Sequence, residues 1–152
     1  MNISLVDEHL LLADALKNLL KLNPEVGEVD TYTDAKEFLG RRSCTPPDVL
    51  IMDLMINGLN GFELLDICRA NLPKDMKIIV LATVTDVQTI KHMIRRGANS
   101  FLSKASQFEE LKEAIFQVNA GKQYIGKAIR ENLINSVFHE EQVALHLSPR
   151  EK

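Results

Sequence analysis

The chain has 152 residues, of which 45% are hydrophobic and 26% are charged, and its formal net charge at pH 7 is −3. This length and composition are typical of one globular domain with a short extension, and the negative charge argues against a nucleic-acid-binding surface. Charged and polar residues at positions 7–9 interrupt the apolar N-terminus, which excludes a signal peptide or a membrane span there. Cys44 and Cys68 lack the spacing of metal ligands and are read as reduced packing residues, so we expect a cytoplasmic protein.

Five short apolar runs alternate along the chain with stretches of helical periodicity. The runs cover residues 2–6, 26–32, 48–52, 77–82 and 100–103. Between them apolar residues recur every three or four positions, as in Leu12, Leu16 and Leu19. This alternation predicts an α/β fold, a parallel sheet with helices on both faces. The first, third and fourth runs are almost continuously apolar, as expected for strands buried on both sides.

A further helix is predicted after Gly121, followed by a polar connector. Its apolar residues are spaced four apart, at Ile125, Ile129, Leu133 and Val137. We therefore expect a compact domain over residues 1–121 and a linker helix with its connector over residues 122–147.

The last residues, 148–152, have the pattern of a helix start. Ser148 suits the N-cap, Pro149 suits the first helical position, and Glu151 lies three residues after the serine, as in a capping box. This pattern predicts that another helix begins here.

Charged residues follow three of the apolar runs. Asp7 and Glu8 follow the first, Asp53 follows the third, and Lys104 follows the fifth. In an open parallel sheet, ligands bind beyond the carboxyl ends of the strands, so these side chains would converge if the first and third strands are neighbours. Three crowded carboxylates favour a bound cation, and Mg²⁺ prefers oxygen ligands. Asp53 would keep one oxygen free as a nucleophile toward phosphorus, and Lys104 would neutralise a phosphoryl oxygen.

Each of these residues alone also has a structural interpretation. Asp7 would serve as a cap for the helix beginning near His9, and Lys104 would be an ordinary exposed lysine. The combination of all four at strand ends favours a phosphoryl or metal site instead.

Five segments of the sequence together resemble the receiver domain of bacterial two-component response regulators of the LuxR/NarL type. The segments are "LVDEH", "DVLIMDLMINGLNG", "IIVLA", "RRGANSFLSK" and the final "LSPREK". The resemblance covers about residues 2–121. It implies a doubly wound, flavodoxin-like sheet of five parallel strands in the order 2-1-3-4-5, with an extra C-terminal linker helix.

The resemblance also implies roles for individual residues. Asp53 corresponds to the phosphoacceptor and Lys104 to the lysine that pairs with the phosphoryl group. Asp7 and Glu8 correspond to the acidic metal-binding pair, which would hold Mg²⁺ or Mn²⁺ together with Asp53 and the backbone carbonyl of Met55.

The expected switch residues include one departure from the family pattern. Phe101 corresponds to the aromatic switch residue, although a core role is an equally good interpretation. Ala82 stands where the family usually has Ser or Thr, whose hydroxyl binds the phosphoryl group. Thr83 is not a simple substitute, because adjacent strand residues point to opposite faces. Ala105 replaces a common proline, which leaves open whether the Lys104–Ala105 peptide is cis.

The function implied is that of a transcriptional response regulator's phosphoryl-accepting domain, not an enzyme, although it would assist its own phosphotransfer. The partner would be a sensor histidine kinase, and a homodimer is possible. DNA binding is expected only through a further C-terminal domain, since residues 147–152 resemble the start of the family's four-helix DNA-binding domain.

Three alternatives follow from the same residues. A pseudo-receiver would keep the fold and act as a phosphorylation-independent interaction module, as the Ala82 departure suggests. A phosphohydrolase would need a second aspartate two residues after the nucleophile, where this chain has Met55. A flavin-binding module would need a Ser-, Thr- and Gly-rich stretch after the first strand, which the sequence lacks.

Overall fold

The computed structural model describes residues 1–55, 60–83 and 86–135, and its centre is a six-stranded sheet. All neighbouring strands are parallel, in the order β2-β1-β3-β4-β5-β6. The five predicted strands and their order are therefore confirmed, and a sixth strand is added at the edge. The strands are β1 (Ile3–Val6), β2 (Val29–Tyr32), β3 (Val49–Asp53), β4 (Lys77–Ala82), β5 (Ser100–Ser103) and β6 (Tyr124–Ile125).

Helices follow each of the first five strands, as the alternating pattern predicts. They are α1 (Leu10–Lys21), α2 (Ala35–Arg42), α3 (Gly61–Asn71), α4 (Val87–Arg95) and α5 (Phe108–Asn119). Residues 127–135 form a further helical segment, α6. The side chains of Asp34, Asn60 and Asp86 each accept a hydrogen bond from a backbone amide in the first turn of α2, α3 and α4. These short polar side chains stabilise helix starts because the first amides have no partner within the helix.

The central strands are buried on both faces and separate two apolar clusters. In β3, Leu50 and Met52 belong to one cluster while Val49 and Ile51 belong to the other, because side chains alternate along a strand. The first cluster packs against α2, α3 and α4, for example through Phe38. The second packs against α1 and α5. This two-sided burial explains the almost continuous apolar runs in the sequence.

The segment after Gly121 differs from the prediction of one continuous helix. Ile125 was placed on that helix, but it lies in β6 and pairs with Phe101 of β5. The four-residue spacing was misleading because Ile125 continues the apolar pattern of α6 while its backbone is extended. Ile129 is fully buried in the first cluster and Leu133 packs against it, as the helical pattern predicts. Val137 lies outside the described residues.

Residues 124–135 thus pack onto the sheet rather than standing apart from it. The Tyr124 hydroxyl donates to Glu110 Oε2 at 2.9 Å, and the Lys127 amide donates to the same oxygen at 3.0 Å. Glu110 of α5 therefore fixes both β6 and the start of α6. The predicted connector and the capping box at residues 148–152 lie outside the described residues. The division into domain, linker and output start stays a prediction.

Within the described residues, no helix combines the length and apolar character that crossing a lipid bilayer requires.

Truncation of Ile129 tests whether α6 is part of the core. Ile129→Ala should lower the free energy of unfolding by about 2–5 kcal/mol, because it leaves a cavity at a fully buried position. Ile134→Ala is the matched control, because Ile134 is 54% exposed on the same helix and its truncation should change stability by less than about 0.5 kcal/mol. Urea unfolding followed by circular dichroism measures both. Equal, small effects would contradict the packing of α6 on the sheet.

Candidate functional site

Two aspartates lie next to each other at the carboxyl end of the sheet. Asp53 is the last residue of β3, and Asp7 directly follows β1. Because β1 and β3 are paired with Val6 opposite Met52, the two carboxylates leave neighbouring strands at the same level. Both residues are only 4% exposed. Buried carboxylates require compensation by a cation or by hydrogen bonds.

Lys104 supplies that compensation from the end of β5. Its Nζ atom donates to Asp53 Oδ2 at 2.6 Å and lies 3.1 Å from Asp7 Oδ2. The Lys104 amide donates to the Ala82 carbonyl at 2.9 Å, which fixes the backbone of the lysine against the end of β4. The Lys104–Ala105 peptide, which the sequence left open, is trans. The sequence therefore correctly predicts that Asp7, Asp53 and Lys104 meet.

The electrostatics of Lys104 reflect two opposing effects. Burial by itself lowers the pKa of the ammonium group, since it disfavours the charged form. The hydrogen bonds to Asp53 and Asp7, together with the attraction of both carboxylates, more than offset burial, and the pKa of Lys104 is raised above its ordinary value of 10.5. The lysine is therefore charged at neutral pH and balances one of the two carboxylates.

His9 also belongs to this group of side chains. Its Nδ1 atom lies 3.0 Å from Asp7 Oδ1, 2.9 Å from Lys104 Nζ and 3.9 Å from Asp53 Oδ2. In the sequence, His9 stands out only as the residue near which the first helix begins. His9 is indeed the N-cap residue of α1, but its side chain makes no capping hydrogen bond. The available signal was the spacing of Asp7 and His9, because residues two apart in an extended segment share a side.

Two predicted metal ligands are less well placed than Asp7 and Asp53. Glu8 is exposed. Among the described residues, Asp7, His9 and Asp53 are the three whose potential metal-binding atoms lie within 4.8 Å of one another. The Met55 amide donates to Asp53 Oδ1 at 3.2 Å, so Met55 lies beside the site. Met55 itself is 68% exposed. The roles of Glu8 and of the Met55 carbonyl stay predictions.

The predicted switch residues lie along β4 and β5. Ala82 ends β4 and is 1% exposed, whereas Thr83 is exposed directly after it. This difference agrees with the expectation that Thr83 does not simply replace a hydroxyl at position 82. Phe101 is fully buried in the first apolar cluster, and it shares that cluster with Ala82. Its core role is therefore evident, and its switch role stays a prediction.

The donor set fits a divalent cation. Asp7 and Asp53 offer buried carboxylate oxygens whose combined negative charge exceeds the single positive charge of Lys104. Carboxylate oxygens with added water molecules are ligands that Mg²⁺ accepts. The half-exposed side chain of His9 leaves the site open to solvent, so water molecules have access to it.

Residues 3–116 match the family profile of the response regulator receiver domain. The chain belongs to this family. Among curated relatives, it is 27% identical to the nitrate/nitrite response regulator NarL of Escherichia coli K12, over 99% of this chain and 71% of NarL. It is 28% identical to the transcriptional regulatory protein LiaR of Bacillus subtilis, over 95% of this chain and 68% of LiaR. The receiver assignment and the LuxR/NarL type are thereby confirmed.

Solved receiver structures share the fold. A LuxR-family two-component response regulator from Aurantimonas sp. SI85-9A1 superposes with a TM-score of 0.83 at 24% identity, over 90% of this chain and 97% of that one. The isolated receiver domain of RcsB from Salmonella enterica serovar Typhimurium was solved with the phosphomimetic BeF₃⁻. It superposes with a TM-score of 0.80 at 19% identity, over 86% of this chain and 96% of that one. Receiver domains are signalling domains of response regulators rather than classical enzymes, and phosphorylation and Mg²⁺ are typical of the family.

Removal of the Lys104 ammonium group tests its role in this receiver domain. Lys104→Met should lower the free energy of unfolding by about 3 kcal/mol, because it leaves two buried carboxylates without their cation. Lys36→Met, at an exposed position in α2, is the matched control and should have little effect.

The pH dependence of this difference follows from the raised pKa of Lys104. A raised pKa means that the contribution is complete below pH 10.5, the ordinary value, and declines only as the pH rises through the higher value of the folded state. Urea unfolding of wild type and Lys104→Met at several pH values measures this. A stability difference that disappears already near pH 8 would contradict the assignment.

Proposed function

We propose that Asp53 accepts a phosphoryl group from a sensor histidine kinase, with a divalent cation, Mg²⁺ or Mn²⁺, and with Lys104 as the phosphate-pairing residue. The observation that carries the proposal is the buried Asp53 carboxylate at the end of β3, 2.6 Å from the Lys104 ammonium. Hydrogen bonds from the Met55 amide and from Lys104 fix the orientation of this carboxylate. Carboxylates act as nucleophiles and form acyl phosphates in other phosphoryl-transfer proteins.

The transfer step assigns a task to each side chain. An oxygen of Asp53 attacks phosphorus, and the bond from phosphorus to the kinase's histidine nitrogen breaks as the imidazole leaves with the electron pair. The Met55 amide and Lys104 hold the Asp53 carboxylate in one orientation. Lys104 then pairs with a phosphoryl oxygen, since an ammonium group is a strong donor to phosphate. The chain thus assists its own phosphorylation through binding and orientation.

A divalent cation would be held by Asp7, Asp53 and the Met55 carbonyl, with Glu8 contributing through its longer arm. It would neutralise negative charge that accumulates as the phosphoryl group approaches the two carboxylates. Without it, the negative site repels an incoming phosphate.

The output proposed is control of transcription. Response regulators of this family act with sensor histidine kinases and bind DNA through a C-terminal domain. We therefore place DNA binding in a further domain, with the receiver domain changing its contact surface or its homodimer contacts on phosphorylation.

Phosphorylation of Asp53 is tested by intact mass spectrometry after incubation with acetyl phosphate. The wild-type chain should gain one phosphoryl group with Mg²⁺ and none with a chelator, because the buried carboxylates require the cation. Asp53→Asn should abolish the gain. Asp66→Asn is the matched control at an exposed aspartate of α3 and should leave the gain intact. Equal modification of Asp53→Asn and wild type would defeat the assignment.

The Ala82 position tests how strongly phosphorylation is coupled to the switch. A hydrogen bond to a charged group contributes ~1.5–3 kcal/mol, so its absence should weaken the shift toward the active state by roughly tenfold or more. Ala82→Thr should therefore strengthen the response to beryllofluoride, followed by NMR chemical shifts at Phe101.

Thr83→Ala is the companion variant, because Thr83 is the competing source of a hydroxyl. It should change the beryllofluoride response little, since Thr83 is exposed and lies one residue past the end of β4. If Thr83→Ala removes the response while Ala82→Thr leaves it unchanged, the hydroxyl comes from Thr83 and this account of the loop is wrong.

A further inference from the structure

Residues 124–135, which contain β6 and α6, form a strap at the edge of the sheet, because β6 pairs with β5 and α6 continues onto the first apolar cluster. We propose that this strap docks and undocks as one unit, that the Glu110 carboxylate of α5 is its latch, and that α6 is helical only while it is docked. This inference goes beyond the proposed function and does not depend on it, since no group of the phosphoryl transfer takes part.

One oxygen atom of Glu110 holds both parts of the strap. Glu110 Oε2 accepts from the Tyr124 hydroxyl of β6 at 2.9 Å and from the Lys127 amide at the start of α6 at 3.0 Å. Burial raises the pKa of Glu110, but hydrogen bonds from Lys127, Tyr124 and Ser106 more than offset this effect and hold the pKa below its ordinary value of 4.5. Burial, together with the hydrogen bond to Glu110, raises the pKa of Tyr124 to about 12. At neutral pH a charged carboxylate therefore accepts from a neutral phenol, which is a stronger bond than one between two neutral groups.

The start of α6 takes its cap from another helix. The Arg130 amide donates to the Gly126 carbonyl at 2.8 Å, which is the first hydrogen bond of α6 and makes Gly126 the N-cap residue. An N-cap side chain usually accepts from the first amides of its helix, and glycine has no side chain to do so. Glu110 supplies that acceptor from α5, 17 residues before Lys127, and its negative charge lies at the positive end of the α6 dipole. This cap exists only while α6 lies against α5.

The contacts of the strap with β5 and with the latch lie next to each other. The Gly126 amide donates to the Phe101 carbonyl of β5 at 3.0 Å, and the next amide along the chain donates to Glu110. A Cβ atom at position 126 would lie 3.0 Å from Leu102 Cδ2 and 3.6 Å from Glu110 Oε1, so the backbone fits closely against both β5 and the latch. A movement of the strap away from the sheet therefore breaks both contacts together.

The chain between α5 and the strap can serve as a hinge. Residues 119–123 are exposed, and Gly121 has a φ of +87° with open space where a Cβ atom would lie. Glycine changes its backbone angles at little steric cost, so rotation at this position does not require other side chains to move.

On the far side of this hinge, α6 depends on its packing against the sheet. Among the described residues of α6, Ile129 alone is buried, and Leu133 packs partly beside the same apolar cluster. Helices in proteins draw most of their stability from tertiary packing rather than from the propensity of their residues. Undocking removes the packing of Ile129 and the cap from Glu110 at once, so we expect the helix to be lost with it. The docked strap thereby sets the direction in which the chain continues beyond residue 135.

Amide hydrogen exchange of the full chain, followed by NMR, tests the latch. In Glu110→Ala, the Gly126 amide should exchange at least about tenfold faster than in wild type, the factor that corresponds to the loss of a charged hydrogen bond. The Arg130 amide should accelerate by the same factor, because the helix opens with the strap. The amides of β4 should keep their wild-type rates. Glu109→Ala is the matched control, because it removes a carboxylate from the same first turn of α5, and it should leave both strap amides unchanged.

Tyr124→Phe separates the two contacts of the latch. It removes the hydroxyl but keeps the Lys127 amide bonded to Glu110, so it should accelerate the Gly126 and Arg130 amides less than Glu110→Ala does. Equal acceleration in the two variants would show that α6 does not depend on its cap, and it overturns the inference.

Three further results of the exchange experiment would overturn the inference. Acceleration of the Gly126 amide without the Arg130 amide would mean that α6 stays helical when the strap leaves the sheet. Acceleration that extends equally to β4 would mean that Glu110→Ala weakens the whole domain rather than the strap. Equal effects of Glu109→Ala and Glu110→Ala would mean that the charge of the first turn of α5, and not the latch, is responsible.

Discussion

The ion pairs of Lys104 with Asp7 and Asp53 are the interaction on which the site depends. Two carboxylates that are each 4% exposed would repel each other if they were left alone at the end of the sheet. The ammonium group lies within 2.6–3.3 Å of both and gives each a charged hydrogen-bond partner. Burial alone disfavours the charged form of that ammonium group. The attraction between the ammonium and the two carboxylates offsets the desolvation cost of all three charged groups.

The sheet brings these charges together across long stretches of sequence. Asp7, Asp53 and Lys104 come from β1, β3 and β5, and the parallel register places all three strand ends at one edge. The apolar strands upstream provide the stability for this arrangement, because their side chains fill the clusters on both faces. The cost of burying these charges is therefore confined to the ends of strands that are apolar over most of their length.

Sequence reasoning predicted the features that depend on pattern and failed where local geometry decides. The alternation of apolar runs predicted the parallel α/β sheet, and the resemblance to receiver domains implied its strand order. The charges at the ends of the runs predicted the meeting of Asp7, Asp53 and Lys104, provided that the first and third strands are neighbours. Ile125 was misassigned because an apolar residue before a helix has the same periodicity as one inside it. His9, rather than Glu8, lies beside Asp7 and Asp53 because of the backbone between β1 and α1. There a hydrogen bond from the His9 amide to Asp7 sets the direction of each side chain. Composition and spacing do not encode such a turn.

Strand β5 connects the charged site to the segment that follows the family domain. Lys104 extends from its end, and Phe101 lies within it, fully buried. The Phe101 carbonyl accepts from the Gly126 amide at 3.0 Å, so the backbone that carries the lysine also holds the start of α6. Ile129 of α6 then packs in the same apolar cluster as Phe101. A displacement of β5 cannot leave this segment unaffected, because close-packed interiors transmit strain rather than absorb it. Lys104 and Phe101 on one strand, and Ile129 in the apolar cluster that contains Phe101, therefore link the charged site physically to α6.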